Sequence, residues 1–218
     1  KENRQFIYFK RETLKGVEYP DNFFPFNFIC HENMGSPYSF NDFINRPYDL
    51  VVIWGERHPH RKLIMERLRD SFRGNNVFLN TVINPDTALP RAKYIKKHCE
   101  GRAFMSSDGH GLGDARLTDL TRFATPFRKE SLMSLRDDFV DDYSIVEFPL
   151  LNVTDEFGCR LPDFDMMINK MKEYFRDKEL MYSIYMHAFN HLKKYHSEKG
   201  YAHYFAEIFK RVFEDNSK

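Results

Sequence analysis

The stretch Tyr48-Asp49-Leu50-Val51-Val52-Ile53-Trp54-Gly55 decides the fold class. Residues 48–54 form a continuous β-favouring run without the polar alternation of a half-exposed strand, as expected of a strand buried on both faces. Gly55 ends the run. Pro59 then suits the first turn of a helix, along which Leu63, Ile64, Leu68 and Phe72 recur at helical spacing. Gly74-Asn75-Asn76 closes that helix, and Val77 to Ile83 (VFLNTVI) reads as the next strand. A strand–helix–strand unit of this size predicts a right-handed parallel crossover.

Working outward, a second and weaker cycle follows. Residues Ala88 to His98 predict a helix and Arg102 to Ser106 (RAFMS) a short strand. A glycine-bearing loop, Ser107 to Asp114, leads to a helix from Ala115 to Phe123, and Ser144 to Phe148 (SIVEF) reads as one more strand. Upstream, Gln5 to Lys10 is a short aromatic strand. Residues 16–47 carry four prolines and many aromatics without helical period, which predicts an irregular, packed connection. From Pro162 the chain turns helical. Asp163 is placed to cap a helix with Phe164, Met167, Ile168, Met171 and Phe175 on its apolar side. A second helix carries Leu180, Ile184, Ala188, Leu192 and Tyr195, and Gly200 is expected to separate it from a third. The expected fold is α/β: a Rossmann-like parallel sheet flanked by helices, with a helical C-terminal tail. Its expected divisions are 1–47, an N-terminal strand and aromatic connection; 48–161, the Rossmann-like core; and 162–218, helices packed on the core.

Composition excludes several functions. Thirty-three Lys+Arg nearly balance 32 Asp+Glu, so no bulk field attracts nucleic acid or membrane, and any phosphate recognition must be local. Cys30, Cys99 and Cys159 are odd in number and lack CxxC spacing, so neither a disulfide framework nor a structural zinc site is expected. A reducing, cytoplasmic location is the simpler expectation. No apolar run approaches the roughly 18 residues of a membrane span. No GxSxG, Walker loop or CxxC occurs, which argues against a simple hydrolase, a P-loop NTPase or a redox enzyme, and the histidines show no HExxH or paired ligand spacing.

Two clusters can carry chemistry. In Ser107-Asp108-Gly109-His110-Gly111-Leu112-Gly113-Asp114, the three glycines let a ligand approach the backbone closely before a helix start suited to phosphate. Arg116 adds a charge-assisted contact, and Asp119, three residues on, shares its helical face and suits both hydroxyls of a ribose. The same residues also read as a turn followed by a surface ion pair. His110 is the one weak candidate for a catalytic base, and it reads more simply as a loop histidine without function. The second cluster follows the decisive strand. Gly55, Arg57 and Arg61 lie just past its carboxyl end, where ligands bind in open α/β sheets, although Arg61 and Lys62 also suit a solvated helix face. Asp163-Phe164-Asp165 spells DxD, but its place at a helix start needs no metal.

The order of these features resembles the C-terminal donor-binding domain of GT-B-fold glycosyltransferases, especially the CgeB-like and family-1-like group. Tyr48 to Leu63 (YDLVVIWGERHPHRKL) is similar to the opening of that domain, Arg116-Leu117-Thr118-Asp119 to its ribose-holding segment, and Met167 to Phe213 to its terminal helices. Asp119 stands where those proteins carry a glutamate. The resemblance implies a glycosyltransferase that moves a sugar from a nucleotide-diphosphate sugar to a saccharide, glycan or glycoconjugate acceptor, with no cofactor and no obligatory metal. It implies nucleotide-sugar contacts from Gly55, Arg57, Arg61, Gly109, Gly111, Gly113, Arg116 and Asp119. A GT-B enzyme has two Rossmann-like halves and 218 residues hold one, so a further domain of a longer parent chain is an expected partner. The alternative is a non-catalytic nucleotide-binding or assembly module on a degenerate glycosyltransferase fold. Nucleic acid is not an expected partner.

Overall fold

A computed structural model describes residues 6–10, 13–26, 29–30, 34–55, 58–74, 76–82, 88–106, 115–130, 133–134 and 139–214; the side chains of 115, 116, 133, 134 and 214 lie outside that description. Among the described residues the centre is a five-stranded, wholly parallel sheet. Its strands are β4 (Tyr48–Gly55), β5 (Val77–Val82), β6 (Gly101–Ser106), β7 (Thr125–Lys129) and β9 (Val146–Phe148), in spatial order β5-β4-β6-β7-β9.

The continuous apolar run behaves as a doubly buried strand should. Leu50, Val52 and Trp54 face one side with Ala103 and Met105, while Phe104 faces the other. Each such burial stabilises the fold by about 1.5–3 kcal/mol. The Trp54 indole keeps its polar edge satisfied by donating from Nε1 to the Met105 carbonyl at 3.2 Å. The first face is covered by α2 (Pro59–Ser71), α5 (Phe164–Arg176) and α6 (Lys178–His191), which bring in Ile64, Met65, Leu68, Met167, Met171 and Tyr185. The second is covered by α3 (Arg91–Cys99) and α4 (Ala115–Leu120), through Tyr94, Ile95, Leu117 and Leu120.

The C-terminal helices form as their sequence directs. Asp163 caps α5, its carboxylate accepting from the amides of Asp165 (3.1 Å) and Met166 (3.0 Å). The other acid of the DxD, Asp165, pairs with Arg67 of α2. The break between the last two helices is corrected, however. It falls at Ser197, which caps α7 (Glu198–Phe209) by accepting from the Gly200 amide at 3.1 Å, after a π-helical turn over Leu192–His196. Gly200 lies inside α7. A Cβ there would stand 2.4 Å from the Lys194 carbonyl, so glycine serves the close approach of two helices rather than their separation.

Two further expectations change. The connection over 16–47 is not wholly irregular. It contains β3 (Phe23–Pro25), paired in parallel with β1 (Tyr8–Lys10), and a short helix α1 (Phe40–Ile44) capped by Ser39. Leu63, expected on the buried side of α2, is 41% exposed, and Met65 takes its place in the core. The N-terminal segment packs on the last helix. Phe9 meets Phe205 edge-on at 4.9 Å, Phe26 meets Tyr201 at 5.3 Å, and the Tyr204 hydroxyl donates to the Pro25 carbonyl at 3.0 Å. Among the described residues no helix is long and apolar enough to cross a membrane.

Candidate functional site

Counted along the chain, the sheet strands stand in the order 2-1-3-4-5. The chain leaves β4 toward β5 on one side and resumes at β6 on the other, so the connections diverge between β4 and β6. Open α/β sheets bind ligands outside the carboxyl ends at such a point. The pairing of the two strands agrees. It runs from Tyr48↔Gly101 to Val51↔Phe104, whereas β4 stays paired with β5 as far as Gly55↔Val82. Beyond Val51, the Trp54 indole bridges β4 to β6.

β4 ends at Gly55 and β6 at Ser106 beside this crevice, and the two clusters read from the sequence, 55–61 and 107–119, follow these strand ends along the chain. Arg57, Gly109, His110, Gly111 and Gly113 lie outside the described residues. Arg116 lies in the first turn of α4, with its side chain outside the description. Gly55 closes β4, and a Cβ there would meet the Val82 carbonyl at an ordinary 3.7 Å, so local packing does not demand glycine. The helix after the glycine loop is shorter than expected, ending at Leu120 and passing into a turn. Little macrodipole accumulates over so few residues.

Arg61 does not lie on a solvated helix face. It is 7% exposed, with its guanidinium 5.9 Å from the Trp54 ring centroid; neighbouring Lys62 is exposed. Asp119 is partly open, its side chain 35% exposed, and its Oδ2 stands 3.7 Å from a guanidinium nitrogen of Arg91. Arg91 opens α3 and its side chain is 63% exposed. So loose and wet an ion pair contributes about 0–1 kcal/mol, which leaves the carboxylate available to a ligand. The sequence reading did not single out Arg91, because it lies sixteen residues or more from either cluster and only the packing of α3 beside α4 brings it to Asp119.

A second feature escaped the sequence reading. The hairpin of β10 (Leu150–Thr154) and β11 (Arg160–Pro162) crosses the carboxyl edge and fastens to it twice. The buried Lys129, ending β7, donates from Nζ to the Arg160 carbonyl at 2.8 Å. At the hairpin tip, Asp155 Oδ2 accepts from His60 Nδ1 at 3.0 Å and, more weakly, from the His60 amide at 3.4 Å. Its Oδ1 accepts from the amides of Phe157 (2.9 Å) and Cys159 (2.8 Å). Burial pushes the Asp155 carboxyl up, but the Cys159 amide, the His60 ring and the Phe157 amide outweigh it and hold the group below the usual aspartate range. Asp155 followed three residues later by Gly158, which has φ +76°, was the available signal for this turn.

No protein-family model matches the chain, and no curated protein matches it. Among solved structures the chain is similar to TarM, a glycosyltransferase of GT-B fold. The TM-score is 0.53 and the identity 12%, over 89% of this chain and 40% of TarM. At that identity the likeness concerns the fold. The chain is α/β, a Rossmann-like parallel sheet flanked by helices with C-terminal helices, consistent with one half of a GT-B arrangement. It spans 40% of the length of the chain it matches.

Proposed function

We propose that the crevice between the carboxyl ends of β4 and β6 binds a nucleotide-diphosphate sugar, and that the chain is the donor-binding half of a glycosyltransferase of the CgeB-like or family-1-like group. The observation that carries this reading is the coincidence of three independent features at one place. The strand order turns there, the β4–β6 pairing stops short there, and both sequence clusters follow strands that end there.

In this reading Gly55, Arg57, Gly109, Gly111, Gly113 and Arg116 hold the diphosphate. Their amides and guanidinium groups neutralise the leaving group as its bond to the sugar breaks, without an obligatory metal. Asp119 grips the ribose, contributing orientation, and Arg91 holds its carboxylate meanwhile. Arg61, lying on Trp54, acts from beneath the strand end. His110 is the candidate base, and the acceptor is a glycan or glycoconjugate brought by a further Rossmann-like domain. TarM supports the reading at the level of fold.

The test is thermal shift of the chain with UDP, GDP and dTDP and their sugars. Stabilisation by one nucleotide, lost in Asp119→Ala and weakened in Arg91→Ala, is expected. Silence across the panel would instead favour a non-catalytic assembly module.

A further inference from the structure

Beside the crevice, and independent of what it binds, His60, Asp155 and Cys159 converge. Their ligand atoms (imidazole nitrogen, carboxylate oxygen and thiol sulfur) all lie within 4.8 Å of one another. His60 comes from the first turn of α2, and the other two from the hairpin tip 95 and 99 residues later. We infer that these three side chains bind a zinc-class divalent ion that pins the β10–β11 hairpin to the start of α2.

The donor set fits that class. A nitrogen, an oxygen and a sulfur together suit a borderline-soft ion of the zinc type, and exclude magnesium or calcium, which take oxygen alone. The orientation of the ligands is already fixed. Asp155 Oδ1 is held by the Phe157 and Cys159 amides, which leaves Oδ2 facing His60 Nδ1. This second layer is the kind that metal carboxylates carry. The tip is closed on itself, the Asp155 amide donating to the Cys159 carbonyl at 2.9 Å and the Gly158 amide to the Asp155 carbonyl at 3.0 Å. Carboxylate and thiol therefore move as one unit. With bonds of about 2.0–2.3 Å in a tetrahedral site, ligand atoms stand about 3.3–3.7 Å apart, so the His60–Asp155 pair opens slightly from 3.0 Å while the more distant atoms close by up to about 1 Å, within the play of side-chain torsions. The fourth position goes to water. Binding displaces the Cys159 thiol proton and takes His60 as the neutral ring with its proton on Nε2. The site is half-buried: the His60 and Asp155 side chains are 0% and 2% exposed, and Cys159 is partly so.

The experiment uses the whole chain, stripped with a chelator and dialysed, then loaded with Zn²⁺ or Co²⁺. One zinc per chain by elemental analysis is expected, with a rise in Tm of about 5–10 °C at a hundredfold excess over Kd. Co²⁺ is expected to give a thiolate-to-metal charge-transfer band. Cys159→Ser loses the band and at least tenfold in affinity, while Cys99→Ser, whose thiol lies on α3, keeps both. Because His60 is fully buried, the apo forms are first compared by circular dichroism, and His60→Asn enters only if its spectrum matches. A chain that retains no zinc overturns the inference, as does a Cys159→Ser variant that keeps the band and the shift. Neither result bears on nucleotide binding, which is read in the same preparation with the metal removed.

Discussion

The two edges of the central sheet are both rich in arginine, and they use it in opposite ways. At the amino edge the Arg102–Asp49 charges form a closed set, while the neighbouring Arg46 keeps one buried guanidinium nitrogen without a partner among the described residues. Arg102 donates from Nε to Asp49 at 3.0 Å and from Nη1 to the carbonyls of Ile44 (2.9 Å) and Arg46 (2.8 Å). Arg46 donates to the carbonyls of Gly101 (2.7 Å) and Phe123 (2.5 Å) and lies 4.3 Å from the Tyr38 ring centroid. At the carboxyl edge Asp119 and Arg91 stand 3.7 Å apart and wet. Burying a charge costs several kcal/mol unless its hydrogen bonds are complete, so the closed set marks structure, whereas the open pair costs little to separate and suits the ligand role proposed above. Arg128 refines the rule, since it sits at the carboxyl edge yet is closed. Its Nε and Nη2 reach Glu147 Oε1 at 2.6 and 2.5 Å, with both side chains largely buried. Closure, not the edge, decides.

The largest expected effect is from Arg102→Ala. It strands Asp49 and two carbonyls, and a loss of about 3–5 kcal/mol is expected in urea denaturation with an unchanged m-value. Arg128→Ala is expected to cost about 3 kcal/mol in the same assay, by uncovering Glu147. A cost under 1 kcal/mol would show that the edge outweighs closure after all. Asp119→Ala inverts the pattern, with stability changed by under about 1 kcal/mol but nucleotide affinity down at least tenfold by calorimetry. Equal losses in both would break the comparison.

Asp142 lies between the extremes and gives the smallest effect. Burial raises its pKa, but Lys170 (2.8 Å) and the Tyr174 hydroxyl (2.6 Å) outweigh burial and leave it lowered. A group depressed in the folded state adds stability that is complete above its unfolded pKa, about 3.9, and is lost as pH falls through its folded value. Asp142→Asn is therefore expected to flatten the acid limb of the stability profile below about pH 4 and leave neutral pH nearly untouched. Asparagine also suits the positive φ of 56° at this position.

What could be read from the sequence follows from how local its cause is. The doubly buried run at 48–55, the Asp163 cap and the amphipathic α5 rest on neighbouring residues, and they form where expected. β7 was missed because Thr125-Pro126-Phe127 begins with a proline signal that demotes a strand. It is nonetheless interior, and Pro126 is accommodated because the β9 partner begins only opposite Phe127. The misplaced break at Gly200 has a similar origin, for a glycine required by a neighbouring helix looks identical to one that ends its own. At the proposed site, Asp119 and the glycine loop are visible in the sequence as a linear pattern. Arg91 and the His60–Asp155–Cys159 cluster are not, since long-range packing alone assembles them.

The packing of the N-terminal aromatics on α7 sets an order on biosynthesis. Pro25 and Tyr204 are 179 residues apart, and at roughly 5–20 residues per second a ribosome takes about 9–36 s to make the second after the first. Through that interval Phe9 and Phe26 lack the surface they finally cover, while β4 and β5 can already pair. The β4–β5 pair thus forms ahead of this contact, and the aromatic segment, though made before it, settles after it. A chaperone that recognises exposed aromatic segments has its opportunity in the interval between the synthesis of residues 6–26 and that of α7.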